Sequence, residues 1–366
     1  MIKRETLYKR TSSGKVQIWF VEIDDNRFRT TSGQEDGKKT TSKWTIASPK
    51  NVNRANETTG EEQAISQVQS LYDKQLKSGY FENKEDIDNT TYFKPILARN
   101  WKDMKHKIDY EVCHIQPKLD GIRNVATLNQ NQSRNGEIFV NIPHIIDEMR
   151  YLFDRIPDLT TDGELYNHLF KHNFNKISSM IKKTVNLDIQ EAAKYVQYHI
   201  YDCFVPRYPD IDFVDRYNLL RTYVEQTDYI KLVETHYIRV DQVDEYAAKF
   251  ISDGYEGAMV RFPGKYEGGK RSKSLLKWKE MMDAEFRIKE VREGNGNKAG
   301  MAASILMEKE DGTEFSTGVI GDEEYCRNLL KIKDDIKGKM GTVLFQNYTP
   351  DGIPRFGKFK AVRDYE

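Results

Sequence analysis

The chain has 366 residues, of which 38% are hydrophobic, 11% aromatic and 31% charged. That length suits two or three domains, and so many aromatics exclude wholesale disorder. Its 57 Lys and Arg are balanced by 57 Asp and Glu, which argues against a broadly basic nucleic-acid coat but permits a local basic channel, since steering follows the distribution of charge.

No apolar run approaches the ~18–20 residues of a membrane span. The stretch from Met1 to Arg10 carries charges where a secretory signal has its apolar core. Three cysteines (Cys113, Cys203 and Cys326), with no Cys-x-x-Cys pair, exclude a disulfide framework and an all-cysteine zinc cluster. A soluble, cytoplasmic protein is expected.

Residues 1–85 read as a small α+β module. Val16, Ile18 and Phe20 alternate with Gln17 and Trp19, and Asp24-Asp25-Asn26 supplies a turn, so a half-exposed hairpin is expected. Thr30 to Lys43, rich in Thr, Ser, Gly and Lys, reads as loop or weak strand. Ala64, Ile65, Val68, Leu71 and Leu76 fall at helical spacing between Glu61 and Lys77, and Tyr80 to Asp86 reads as a linker.

From about Thr91, short β-type runs are separated by helices. Strands are expected over Glu111–Leu119, Ile138–Val140, Val196–Phe204, Ala258–Phe262 and Leu275–Trp278. Pro143 marks a helix start ahead of Ile145, Ile146, Met149, Leu152 and Phe153. Phe213–Gln226 and Asp241–Ile251 are further amphipathic helices, the second ended by Ser252-Asp253-Gly254. A third region starts near Ala284. There, Phe286–Val291, Ala302–Met307, Thr313–Val319 and Gly341–Tyr348 suggest a small β-barrel. The expected class is therefore α+β and multidomain, divided as 1–85, 91–282 and 283–366.

The sharpest chemical feature is Lys118-Leu119-Asp120-Gly121-Ile122-Arg123. Lys-x-Asp-Gly-x-Arg should arise by chance in roughly one of a few hundred chains this long. A lysine at a strand end followed by a turn presents an amine to a cleft, with an arginine alongside for phosphate. Downstream, in order, lie Ser133-Arg134-Asn135-Gly136, Asp162-Gly163-Glu164-Leu165-Tyr166, Tyr198-His199-Ile200-Tyr201-Asp202, Glu256-Gly257-Ala258-Met259-Val260-Arg261 and Lys277-Trp278-Lys279.

This series resembles the covalent nucleotidyltransferase superfamily of ATP-dependent DNA ligases, RNA ligases and mRNA capping enzymes, over about 190 residues. Pro354 to Asp364 looks like the DNA-ligase form of the last superfamily motif, with Gly357 in place of a common proline and Tyr365 where many members have lysine. Glu293 to Gly300 matches a glycine-rich loop after the first strand of the ligase OB domain, although it also reads as a plain turn. The resemblance implies a nucleotidyltransferase domain with the ATP-grasp-like adenylation fold of ligases, followed by an OB-fold β-barrel. A compact viral, bacteriophage-type DNA ligase is the expected kind.

The resemblance further implies that Lys118 attacks the α-phosphorus of ATP, forms a lysyl-AMP and releases pyrophosphate. The AMP then passes to the 5′-phosphate at a nick, and the adjacent 3′-hydroxyl displaces it. An amine must be neutral to attack, whereas free lysine favours its protonated form by about 4–5 kcal/mol at pH 7. Arg123, Lys277, Lys279 and a bound metal are the expected remedy, because each disfavours another positive charge. By the same resemblance Glu164 and Glu256 hold magnesium, with manganese as an alternative, and Glu164 also contacts the ribose.

Tyr201 stands where the family usually has Phe against the adenine. Gln116 offers its backbone carbonyl to the adenine amino group, its side chain being immaterial, and Arg134 is a further nucleotide contact. Arg355 and Lys358 orient the pyrophosphate. Arg123, Lys265, Lys270, Arg271 and Lys273 are expected on the DNA, although Lys265 and Lys273 read equally well as solvated lysines.

His114 and His199 lie in expected strands without metal-ligand spacing and read as structural, and Cys113 and Cys203 as buried small apolar residues. In the amino-terminal module, Trp19-Phe20, the turn and the helix resemble the WGR domain, a DNA-break-binding module, without its Trp-Gly-Arg tripeptide. The expected partner is nicked or broken duplex DNA, with no membrane, and a monomer. An RNA ligase, a capping guanylyltransferase using GTP, and a DNA-end-binding protein with a decayed active site are the alternatives. The NAD⁺-dependent bacterial ligases are disfavoured, because their four-cysteine finger has no counterpart here.

Overall fold

The computed structural model describes residues 2–11, 13–88, 92–295, 298–349 and 351–363. Its chain divides into two compact units. One comprises Thr91–Met281 with Thr349–Gly352, and the other comprises Met1–Thr90, Met282–Tyr348 and Ile353–Glu366. No helix among the described residues is long and apolar enough to cross a membrane.

In the amino-terminal part, strands Val16–Asp24 and Arg27–Gln34 pair antiparallel, with Asp24 opposite Arg27. Asp25, at φ 53°, makes the turn. The buried face of the first strand is Trp19 and Val21, packed with Leu7, Phe28 and the Ala64, Val68 and Tyr72 side of helix Gly60–Lys77. The hairpin is half-exposed as expected, with Val16, Ile18 and Phe20 only partly buried on the opposite face; both faces of the run are apolar, so alternation alone does not choose between them. The stretch expected as loop or weak strand contains two strands, Arg27–Gln34 and Lys39–Thr41. The expected linker is tied down as well. Tyr80 is buried, and Phe81 exchanges two 2.8 Å backbone hydrogen bonds with Tyr8. The helix opens on a capping box between Thr59 and Glu62.

The unit holding the lysine motif is built on two five-stranded sheets. The first runs in the order Gln130–Gln132, Ile122–Thr127, Thr160–Tyr166, Gln197–Phe204, Ile230–Leu232. The second runs His236–Arg239, Val112–Lys118, Gly257–Arg261, Arg271–Lys279, Leu97–Asn100. Helix Pro143–Arg155, with Pro143 in its first turn as expected, lays Ile145, Met149, Leu152 and Phe153 on the first sheet. Helix Val243–Ser252 lays Val243, Ala247 and Phe250 on the second and ends where Gly254 turns at φ 95°.

Two further expectations are corrected in this unit. Ile138–Val140 is not a strand: only Ile138 bridges to Gln132, and Phe139 alone is buried while its neighbours are exposed. The helix expected to reach Gln226 stops at Tyr223. The basic segment between Gly264 and Ser274 enters strand Arg271–Lys279 at Arg271.

In the other unit, strands Met282–Glu293, Ala302–Glu308, Glu314–Val319, Lys358–Val362 and Met340–Phe345 pair in a closed ring. Ile288, Ile305, Met307, Val343, Phe345 and Phe359 fill it. The run expected as one strand to Tyr348 breaks at Gln346, after which Asn347–Tyr348 pairs with Pro354–Arg355. Part of the glycine-rich loop (Gly296, Asn297) and the residues Asp364 and Tyr365 lie outside the described residues.

Candidate active site

Lys118 is the last residue of strand Val112–Lys118 and lies opposite Gly257 on the neighbouring strand. The Glu256 N–H donates to the Lys118 carbonyl at 2.9 Å, so backbone pairing alone brings the carboxylate beside the amine. After the Asp120-Gly121 turn, strand Ile122–Thr127 sets Arg123 opposite Glu164 on Thr160–Tyr166. A Cβ at Gly121 would sit 2.3 Å from the Leu165 carbonyl oxygen and 2.9 Å from Glu164 Cγ. Only glycine lets this turn pass so close to the strand that carries the carboxylate.

These elements enclose a cleft of about 290 Å³ lined by Gln116, Lys118, Arg123, Arg134, Glu164, Tyr201, Met259, Arg261, Arg271, Lys277 and Lys279, with apolar Leu119 and Leu275. Lys118 and Lys279 both hydrogen-bond Glu256, one to each carboxylate oxygen. Enclosure opposes the charge on Lys118, yet Glu256 and Glu164 outweigh it and hold the amine above its ordinary value. In the absence of nucleotide and metal, then, these carboxylates favour the ammonium form, against the effect expected of the neighbouring cations Lys277 and Lys279. The depressed amines are Lys277, through burial and then Arg271 and Lys118, and Lys279, through burial and then Lys118. Burial opposes the charge of Glu256 too, but Lys118 and Lys279 keep it ionised.

Glu164 stands in contrast. Burial pushes its carboxyl up to about 8, against the pull of Lys118 and Arg123. Among the described residues it has no hydrogen-bond or ion-pair partner. Glu164 thus lines the cleft, while Glu256 hydrogen-bonds two lysines of its lining. That donor set suits a hard divalent cation, which takes one or two carboxylates and fills the rest of its shell with phosphate oxygens and water. No group of three His, Cys, Asp or Glu side chains able to hold a metal by itself occurs among the described residues.

Two expected site residues that line the cleft also have partners within the protein. Arg123, expected against phosphate, forms a fork with Asp162, its Nε donating at 2.8 Å. Tyr266 Oη donates to the same carboxylate at 2.6 Å. Gln116 does use its side chain: Nε2 donates to Thr235 Oγ1 at 2.8 Å and to the Tyr201 carbonyl at 3.2 Å, while Oε1 accepts from Arg261 Nε at 2.7 Å. Arg261 Nη1 donates at 2.6 Å to Asp202, which is fully buried and also receives Arg216 Nε at 2.7 Å. A buried chain Arg216–Asp202–Arg261–Gln116 thus ties the Tyr201 strand to the Lys118 strand. Asp202 and Arg261 lie inside the quoted motifs, but nothing in the sequence pairs them, and Asp162, Arg216 and Tyr266 were likewise assigned no role.

The remaining expected residues are dispersed. Arg134 and Arg271 line the cleft, and Arg271 Nη1 also donates to the Ala98 carbonyl at 2.9 Å. Lys265, Lys270 and Lys273 are exposed, and Lys265 pairs with Asp210 at 2.9 Å. Arg355 and Lys358 belong to the other unit: Arg355 covers the Phe356 ring at 4.9 Å, and Lys358 opens the strand paired with Gly318. His114 packs against Phe213 and Tyr237 at 5.8 and 5.0 Å, and Cys113 and Cys203 are buried, as expected.

Residues 95–279 match the model of the ATP dependent DNA ligase domain, and residues 293–363 that of the DNA ligase OB-like domain. A DNA ligase of African swine fever virus (strain Badajoz 1971 Vero-adapted) is 28% identical over 282 residues, 72% of this chain and 64% of its own. The chain thus spans a little under two thirds of such viral relatives. A DNA ligase of Sulfolobus acidocaldarius is 33% identical over 136 residues, covering 33% of this chain and 23% of its own. A solved structure from a study of DNA binding with a minimal scaffold by Lig E DNA ligases superposes with a TM-score of 0.61. It is 25% identical and covers 74% of this chain and 99% of its own.

Proposed function

The chain belongs to the ATP-dependent DNA ligase family, and from that premise we propose that it seals 5′-phosphate/3′-hydroxyl nicks in duplex DNA through a lysyl-AMP on Lys118 and a DNA-adenylate. The observation that carries this reading is the Lys118 amine on a cleft wall between Glu256, which hydrogen-bonds it, and Glu164, with Tyr201 in the same cleft. Glu256 positions the ammonium through their hydrogen bond, and the proton leaves to water when the cations that join the phosphates draw Glu256 away from the amine. The freed amine then bonds to the α-phosphorus of ATP as the α–β phosphoanhydride breaks and pyrophosphate departs.

Lys277, Lys279 and Arg134 supply the positive charge that offsets the phosphates. A divalent cation held by Glu164 and Glu256 would add charge neutralisation on the phosphate oxygens. Tyr201 offers a flat face to adenine, and Gln116 and Arg261 hold its backbone in place. Arg123 contributes through its fork with Asp162, which fixes the guanidinium beside Glu164. Arg355 and Lys358 orient the leaving pyrophosphate, and Lys265, Lys270, Arg271 and Lys273 contact DNA phosphates.

We read the chain as three domains, 1–85, 91–282 and 283–366, acting as a monomer in the cytoplasm, of the host if it is viral, with the first domain on duplex DNA. The OB-like match at 293–363 favours a DNA ligase over an RNA ligase or a capping enzyme. The test is incubation with magnesium and labelled ATP, GTP or NAD⁺, followed by a chase with nicked DNA or RNA. Label from ATP on Lys118, discharged by nicked DNA and absent in Lys118→Ala, is expected. Label from GTP alone, or discharge by RNA alone, overturns the reading.

A further inference from the structure

A second cavity, of about 440 Å³, lies in the same unit and is larger than the adenylation cleft. Its wall is formed by Pro117, Leu119, Val233, Phe250 and Tyr255, and its polar lining by His168, His199, His236, Lys231 and Lys249, with Glu234 and Asp253. The function proposed above uses none of these polar groups.

The cavity is placed by the same strands as the cleft. Pro117 and Leu119 flank Lys118, His199 precedes Tyr201 by two residues on strand Gln197–Phe204, and Tyr255 precedes Glu256. Leu119, Tyr166 and Val233 form a small apolar cluster, with Tyr201 and Tyr255 packed on it, and several of these residues border one or both cavities.

The polar lining has spare donors. The side-chain ammonium groups of Lys231, on strand Ile230–Leu232, and Lys249, on helix Val243–Ser252, have no hydrogen-bond or ion-pair partner among the described residues. The His199 ring meets Gln197 at 3.1 Å and the edge of Tyr166 at 5.3 Å, and His236 approaches Glu234 at 3.4 Å, a carboxylate whose side chain is 77% exposed. His168 meets Tyr166 Oη at 2.8 Å. After burial, the groups that act on the His199 ring are Lys231 and His168, both of which lower its proton affinity, to about 4. Lys231 thus sets a positive potential at the His199 ring, while Lys249, like the carboxylates of Glu234 and Asp253, belongs to an exposed residue at the rim.

Two unpartnered ammonium groups and three imidazoles, set against Phe250 and Tyr255, make a lining for a ligand with a phosphate at one end and a flat apolar body at the other. The volume falls in the range of small-molecule sites. A metal is a poor fit, since no group of three metal-ligating side chains occurs among the described residues.

We propose that this cavity is a second small-molecule site that binds a mononucleotide, its phosphate on Lys231, Lys249 and the histidines and its base against Phe250 and Tyr255. The site does not depend on adenylation, and its test is separate from the labelling experiment. The full chain, with its histidine ring resonances assigned by NMR, is titrated with AMP in one arm and with inorganic pyrophosphate in the other.

Saturable shifts of the His168, His199 and His236 signals are expected with AMP, with His106 and His172 unmoved. A K231A/K249A double variant should bind at least tenfold more weakly, while K277A/K279A, altered in the adenylation cleft, should keep the shifts. Pyrophosphate shifting the same signals with affinity equal to AMP removes the base from the proposal and overturns its nucleotide assignment. Absence of shifts at 10-millimolar order, or shifts lost in K277A/K279A and kept in K231A/K249A, overturns the site itself.

Discussion

Replacing Asp202 by Asn removes the one carboxylate between two buried arginines. Asp202 has no exposed surface, and Arg216 and Arg261 have side chains only 3% exposed. The carboxylate accepts from Arg216 Nε at 2.7 Å and Nη2 at 3.2 Å, from Arg261 Nη1 at 2.6 Å, and from the Cys203 N–H at 2.8 Å. Asparagine keeps the shape but leaves two guanidinium charges uncompensated, and removing one partner of a buried pair costs about 3–5 kcal/mol. At roughly 2–4 °C per kcal/mol for a domain of this size, the unit should melt roughly 6–20 °C lower.

The control is Asp210→Asn, which loses an exposed pair with Lys265 whose side chains are 60% and 76% exposed, and it should leave stability essentially unchanged because solvent screens such a pair. Urea and thermal unfolding of both variants measure the difference. Burial alone would raise the Asp202 carboxyl, but Arg216 and Arg261 hold it below its ordinary value. Its stabilisation is therefore present above the unfolded-state value, near ~3.9, and is lost as pH falls through the depressed folded value. The variant should lack that acid-side loss. Because Arg261 also holds Gln116, KM for ATP should rise more than kcat falls. A loss below about 1 kcal/mol, or one equal to that of Asp210→Asn, would refute the claim that this buried charge is needed.

Other perturbations follow from the cleft. Glu256→Gln removes the group that holds Lys118 protonated, so the pH profile of adenylation should move to lower pH even as the rate falls by roughly 10²-fold; an unmoved profile at the lower rate contradicts the pairing. Glu164, pushed up to about 8 by burial, makes the ligand-free protein lose stability as pH rises from the ordinary carboxylate value, near ~4.3, through about 8. Glu164→Gln should therefore be the more stable form at pH 9, by on the order of 1 kcal/mol, and thermal melts at pH 5 and 9 decide it. Gly121→Ala forces a Cβ against the Leu165 backbone and Glu164, at a cost of about 1–3 kcal/mol with slower adenylation, measured by unfolding and by label uptake. Deleting residues 1–85 should weaken binding to nicked duplex and flatten its salt slope, whereas unchanged affinity and slope would remove the amino-terminal module from DNA binding.

Much of the site was legible along the chain because its chemistry is local. Lys118, Gly121 and Arg123 sit on one strand end and its turn, and Gly257 pairs with Lys118 directly, so short motifs carry both residue type and placement. The main helices were legible for a similar reason: Pro143 and the spacing of Ile145, Met149 and Leu152 mark one face and one start. Strand Thr160–Tyr166 was harder to see. Asp162 and Gly163 interrupt its apolar run, and both are buried there because Arg123 and Tyr266 satisfy the carboxylate.

Residue order alone settled which groups can do chemistry: an amine before a tight turn, two glutamates beside glycine or an adjacent strand, and a pair of lysines one residue apart. Folding decided their charge states and their company, because proton affinity depends on burial and on neighbours distant in the chain. Lys118 became a paired ammonium through Glu256, 138 positions away. Gln116 became a structural link through Arg261, 145 positions away. Which face of the amino-terminal hairpin turned inward was likewise settled by the helix that covers Trp19 and Val21, since either face was apolar enough to be buried.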